Sequence, residues 1–173
     1  MKIKLEEQDA KLYSRLHVSS LDLDFARYCL GVLLKKGWHY QAWEKRGTIY
    51  QQQSAFTSAL VMAYARPFKT SKGWPRLPSE LVDFDSEESA LHQHLMTLRD
   101  TVYAHSDSEQ YTVEPWRTKE FSTDILTAPW PRITAEEAAL LKRMISKLQV
   151  AIVRRMREIC PEKVPIKQGD CRS

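Results

Sequence analysis

The sequence predicts an all-α fold, an up-and-down bundle of about four to five helices with a long loop ahead of the helix that carries its most distinctive motif. Two observations lead there: apolar residues recur at helical spacing in four separate segments, and capping signals stand at the ends of those segments. Ser19 and Ser20 are placed to cap a helix from about Leu21 to Lys36, in which Leu23, Ala26, Leu30 and Leu33 form a core stripe and Gly37 ends the run. A second helix spans about Thr48 to Ala65, with Ile49, Phe56, Leu60 and Ala63 as its buried stripe. It stops where Pro67 disfavours the α conformation for Arg66.

Residues 67 to 85 contain Pro67, Gly73, Pro75 and Pro78 and read as a long loop. Lys69, Lys72, Arg76 and Trp74 are mixed into it. Basic and aromatic residues interleaved in this way can grip a single-stranded nucleic acid, or the loop can be a plain solvated connection with one buried Trp. Ser86-Glu-Glu-Ser89 starts the next helix, acidic where the helix dipole favours negative charge. Leu91, Leu95, Leu98 and Val102 line its core side, and it ends near His105, ahead of the turn-forming Ser106-Asp107-Ser108. From Tyr111 to Pro131 the pattern is irregular and interrupted by prolines, so loop is expected, with room for a short strand over Tyr111 to Val113. Thr134-Ala-Glu-Glu137 is a capping box for a last helix reaching about Ile159, before Pro161. Its core stripe is Leu141, Ile145, Leu148, Ile152 and Met156. Its other face holds Lys142, Arg143, Lys147, Arg154, Arg155 and Arg157, a solvated face or a surface for a nucleic-acid backbone.

A chain of 173 residues is a usual size for one domain. One domain over 1–173 is expected, frayed after about Pro161. Cys29, Cys160 and Cys171 are odd in number and form no C-x-x-C pair, so they read as free thiols of a reducing compartment. The N-terminus lacks the apolar core of a signal peptide, and no apolar run is long enough for a bilayer. These features predict a cytoplasmic protein without a membrane partner. A net charge of +4 tolerates an anionic partner such as RNA without demanding one.

The residues with chemical promise lie between Leu98 and Asp107. Arg99 can hold a phosphate with its planar fork, and His105 can exchange a proton near neutral pH. With Asp100 between them, they suit cleavage of a phosphodiester without a metal or other cofactor. At about 100° per residue, Arg99 and His105 fall about 120° apart around an ideal helix. Either His105 sits where the helix unwinds, or a second subunit completes the site. His92, Arg99 and Tyr103 share one stripe beside the leucines and could line a groove. The same residues allow a plainer reading: an Arg-Asp salt bridge at a helix end, and a histidine favoured there by the dipole. His92 and His94 are two apart and point to opposite sides of a helix, so no metal site is expected. No Glu stands three residues before any histidine, and no glycine-rich phosphate loop or Gly-x-Ser-x-Gly elbow is present.

Arg99-Asp100 to His105 at a helix end resembles the signature of the HEPN superfamily, small helical-bundle proteins of prokaryotic defence and toxin systems. Leu98-Arg99-Asp100 and Ala104-His105-Ser106-Asp107 are similar to the version found in HEPN-like proteins linked to abortive infection, as is the upstream helix end Tyr64-Ala65-Arg66-Pro67-Phe68. The resemblance implies a metal-independent endoribonuclease acting as a homodimer, with the motif helices side by side. Arg99 would bind the scissile phosphate, His105 would act as general acid or base while the ribose 2′-hydroxyl attacks, and Asp100 would orient one of them. Tyr103, His92 and Arg66 are the matching candidates for substrate binding. Products would carry a 2′,3′-cyclic phosphate, and DNA would be spared. An antitoxin protein is an implied partner. In one branch of the family a tyrosine two positions after the histidine is modified by a nucleotidyltransferase antitoxin; here that position is Asp107, and this partner is not carried over. The alternative is a non-catalytic HEPN-like module that binds a partner protein or nucleic acid.

Overall fold

The computed structural model describes residues 5–45, 47–103, 111–129 and 132–161. Four α-helices carry the fold: α1 (Glu7–Lys36), α2 (Thr48–Ala65), α3 (Ser86–Leu98) and α4 (Ala135–Ile159). Between α3 and α4 two strands, β1 (Thr112–Arg117) and β2 (Ser122–Thr127), form an antiparallel hairpin. The molecule is therefore mostly helical but not the pure all-α bundle expected.

Helix α1 begins fourteen residues ahead of the predicted start, so Ser19 and Ser20 lie inside it rather than capping it. The core stripe explains the extension. Leu16 and Ser19 continue the line of Leu23, Ala26, Leu30 and Leu33, all buried, and a mid-helix serine costs only a few tenths of a kcal/mol. Glu7 and Asp9 favour the first turn and Lys35 and Lys36 the last. Gly37, at φ 61°, closes the helix in the left-handed conformation that glycine adopts without strain.

Helix α2 has the predicted bounds, but its buried face includes Tyr50, Gln53, Thr57, Leu60 and Tyr64, and Ile49 is exposed. Buried Gln53 exchanges two hydrogen bonds with the backbone of Tyr40, which ties the preceding loop to the helix. Arg66 does not leave the helical region as expected: it sits at φ −55°, ψ −43°, and the chain tightens into a 3₁₀ turn over Arg66–Phe68. Proline costs nothing there, because the first residues of a helical turn have no partner for their N–H groups.

Helix α3 is capped by Asp85, one residue before the predicted Ser86, through a capping box with Glu88. Leu91 and Leu95 are buried as expected and Leu98 is partly buried. The chain then widens into a π-helical turn over Arg99–Tyr103. Helix α4 starts in the predicted Thr134–Glu137 capping box, and Leu141, Ile145, Leu148, Ile152 and Met156 are all buried. Helices α1, α2 and α4, with Leu91 and Leu95 of α3, close around one apolar core.

The hairpin falls where loop was expected. Thr112 pairs with Thr127 and Arg117 with Ser122, and every residue of both strands is exposed. Pro115, opposite Asp124, fits because each strand of a two-stranded sheet is an edge with a free side. The four-residue connection is held by Thr118, whose N–H donates to Phe121 O at 2.9 Å.

Candidate nucleic-acid interface

The candidate site is built on α1, the 3₁₀ turn after α2, and the π turn after α3. Arg15 follows the core stripe of α1 one turn ahead of Ser19, which makes it a buried arginine, 4% exposed. A buried guanidinium must find acceptors. Its Nη2 lies within donating distance of the carbonyl oxygens of Arg66 at 3.1 Å, Pro67 at 2.7 Å and Lys69 at 3.0 Å, so one side chain gathers two carbonyls of the turn and that of the residue after it. Turned outward by this arrangement, Arg66 donates to Asp22 Oδ1 at 3.1 Å.

Lys69 reaches the π turn. Its Nζ donates to Asp100 Oδ2 at 2.6 Å, and Arg99 Nη1 donates to Oδ1 of the same carboxylate at 2.8 Å. The hydrogen bond from Lys69, followed by that from Arg99, holds the Asp100 carboxyl below the usual carboxylate range. Arg15, Arg66, Lys69 and Arg99 line one cleft of about 410 Å³, with Asp22 and the indole of Trp74 on its wall and Thr70 and Ser71 on its rim. Four cations against the carboxylates of Asp22 and Asp100 leave the cleft electropositive, suited to a phosphate. The expectation of a buried Trp in this loop is corrected: Trp74 is exposed and presents a face on which a base could stack.

Arg66, Arg99 and Asp100 are thus brought together. His92 and Tyr103 do not line this cleft. His92 is half-buried among Tyr64, Phe68 and Phe84, with ring centroids 5.9, 4.6 and 5.5 Å away, and its Nδ1 shares a 3.0 Å hydrogen bond with the Tyr64 hydroxyl. Burial lowers its pKa. Tyr103 packs against the core, its buried hydroxyl without a hydrogen-bond partner among the described residues. Burial raises its pKa strongly. His105 lies outside the described residues.

A π turn bonds residue i to i+5, so the chain departs from ideal α geometry over Arg99–Tyr103. Arg15 and Asp22 were missed in the sequence. The signal for Arg15 was its place on an otherwise apolar stripe. Larger grooves, of about 710, 700 and 920 Å³, flank α4 and α1; none holds Arg66, Arg99 or Asp100, but Lys142, Arg143, Lys147 and Arg154 of the basic α4 face line the second. The basic outer face of α4 is partly engaged: Lys147 donates to the buried carboxylate of Glu88 at 2.7 Å and Arg155 to Glu158 at 2.8 Å. Among the described residues, no three His, Cys, Asp or Glu side chains converge as metal ligands would, and no helix is long and apolar enough to cross a membrane. No family model, no curated protein and no solved structure matches this chain.

Proposed function

We propose that this chain is a metal-independent endoribonuclease of the HEPN type, working in a prokaryotic defence or toxin–antitoxin setting in the cytoplasm. One observation carries the reading. Arg66 and Arg99, from the two separate segments that resemble HEPN-like proteins, line a single cleft together with Lys69 and Trp74.

In this reading an RNA phosphate enters the cleft and accepts hydrogen bonds from the Arg99 fork, while Lys69 and Arg66 supply further positive charge. Trp74 stacks on an adjacent base. The ribose 2′-oxygen attacks phosphorus and the 5′-oxygen of the next nucleotide leaves, giving a 2′,3′-cyclic phosphate and a 5′-hydroxyl end. His105 moves the proton. Asp100, ionised between Lys69 and Arg99, keeps the arginine aimed.

The test is labelled single-stranded RNA in the presence of EDTA, with a 2′-deoxy version as control. Cleavage of the RNA alone, abolished by Arg99→Ala and by His105→Ala, is the expected result. Salt-dependent binding without turnover would replace this reading by the non-catalytic module, and neither binding nor turnover would reject the ribonuclease and leave that module with a protein partner.

A further inference from the structure

Helix α1 is apolar on two opposite sides. One side, from Leu16 to Leu33, is the core stripe described above. The other carries Val18, Leu21, Phe25, Tyr28 and Val32, spaced three, four, three and four residues apart. That alternation is the seam spacing of two packed helices. Leu21, Phe25 and Tyr28 are 55, 49 and 62% exposed, and the rings of Phe25 and Tyr28 stack at 6.5 Å. A helix with apolar stripes on two sides can pack against two partners, and the described residues leave the second stripe largely exposed. Helix α3, by contrast, carries no exposed large apolar side chain.

We propose that two copies of this chain pair antiparallel through the Val18–Leu21–Phe25–Tyr28–Val32 face of α1. A seam of 3-4 spacing accepts a helix, and a second copy offers the same seam about a two-fold axis without needing any other surface. Area agrees. With Leu21, Phe25 and Tyr28 about half exposed, Val18 38% exposed and Val32 partly buried, and roughly 150–250 Å² in a large aromatic side chain, the five and their flanking stems bury on the order of 1,000 Å² across the pair, which is the lower bound for a specific interface.

Charge selects the direction. Parallel pairing sets Asp22 and Asp24 beside their own copies, and Lys35 and Lys36 beside theirs. Antiparallel pairing forms the layers Phe25–Tyr28, Leu21–Val32 and Val18–Lys35, and so brings Lys35 of the second copy to Val18, one turn from Asp22. Val18 and Asp22 line the basic cleft. The second copy therefore closes one rim of the cleft and adds a cation to it. The pairing stands whether or not the cleft cleaves RNA.

Sedimentation velocity of the full chain, from micromolar to submillimolar concentration, tests the proposal. The expected result is a concentration-dependent dimer whose dissociation constant rises about tenfold or more in Phe25→Glu, with unchanged helical circular dichroism. Val150→Glu, at a more exposed apolar site on α4, should leave it unchanged. A wild type that stays monomeric throughout, or a Phe25→Glu variant that dimerises like the wild type, overturns the proposal. Oxidative cross-linking tests the direction: Leu21→Cys/Val32→Cys should yield a covalent dimer and Leu21→Cys alone should not. Ready cross-linking of the single variant would overturn the antiparallel arrangement.

Discussion

Lys69 of the turn after α2 and Asp100 of the π turn are joined by a 2.6 Å hydrogen bond, and Arg99 holds the second oxygen of the same carboxylate. This triad links two segments distant in sequence that the apolar core brings to one cleft. Its pH dependence has a definite sign. Lys69, then Arg99, lower the Asp100 pKa in the folded chain, relative to about 3.9 in an unfolded one. The stability it contributes is complete above that value and is lost as the pH falls through the folded pKa. Because the group is 43% exposed, screening limits the contribution to about 0.5 kcal/mol. Asp100→Asn should therefore be slightly less stable at neutral pH, and the difference from wild type should close as the pH drops below about 3.9. Urea melts across that range check it, and a gap that persists into strong acid rejects the triad.

Arg15 has the larger structural role. Replacing it by Met keeps the buried stem but removes the hydrogen bonds to the carbonyls of Arg66, Pro67 and Lys69, of which that of Arg66 keeps the Lys69 N–H. The expected loss is about 2–4 kcal/mol, from charge-assisted hydrogen bonds removed at a buried site. Arg15→Lys should recover only part of it, since an ammonium does not reproduce the guanidinium's planar fork. Chemical denaturation measures both, and a loss within about 0.5 kcal/mol for Arg15→Met would mean that the turn holds itself.

The helices were legible because burial has a period. The predicted bounds of α2 and α4 match the structure; the Thr134–Glu137 capping box acts as expected, whereas Pro67 ends α2 by tightening it into a 3₁₀ turn and not by moving Arg66 out of the helical region. The start of α1 was misplaced because Ser19 and Ser20 carry the chemistry of a cap while occupying mid-helix positions, one of them fully buried. The hairpin escaped because it packs no face: with both sides exposed, no alternation of polar and apolar residues is imposed, and Pro115 reads as a break. At the site, Arg66, Arg99 and Asp100 could be read from local resemblance. Arg15 and Asp22 could not, because their link to Arg66 depends on how α1 packs against the end of α2, a long-range fact that no short window contains. The grouping of His92 and Tyr103 with Arg99 assumed one straight α-helix. The structure instead turns His92 into an aromatic pocket and widens the helix before Tyr103.

That pocket gives His92 a pH signature of its own. Burial lowers its pKa in the folded chain, against about 6.5 when unfolded. Protonation therefore favours the unfolded chain. The stability of the neutral ring is present above about pH 6.5 and declines as the pH falls through the folded pKa. Wild type should lose stability on acidification from about pH 7 to 5, and His92→Gln should flatten that slope at some cost in packing. Parallel thermal melts of the two proteins decide, and equal slopes would place the histidine in contact with water in the folded state.

Trp74 separates the two ways in which the cleft can hold RNA. If a base stacks on the indole, Trp74→Ala should weaken single-strand binding by about 1–3 kcal/mol; the indole is 39% exposed, so circular dichroism of the variant is measured alongside to separate binding from folding. If Lys69 meets a phosphate, Lys69→Ala should lower the slope of log affinity against log salt by about 0.7, the value for one phosphate of a single strand. The two losses differ in kind. The tryptophan variant should keep the wild-type salt slope, and the lysine variant should bind more weakly whatever the base. Fluorescence titration of both against oligonucleotides at several salt concentrations checks this. An unchanged affinity for Trp74→Ala together with an unchanged slope for Lys69→Ala would move any RNA to another surface, and the basic outer face of α4 would be the next to test.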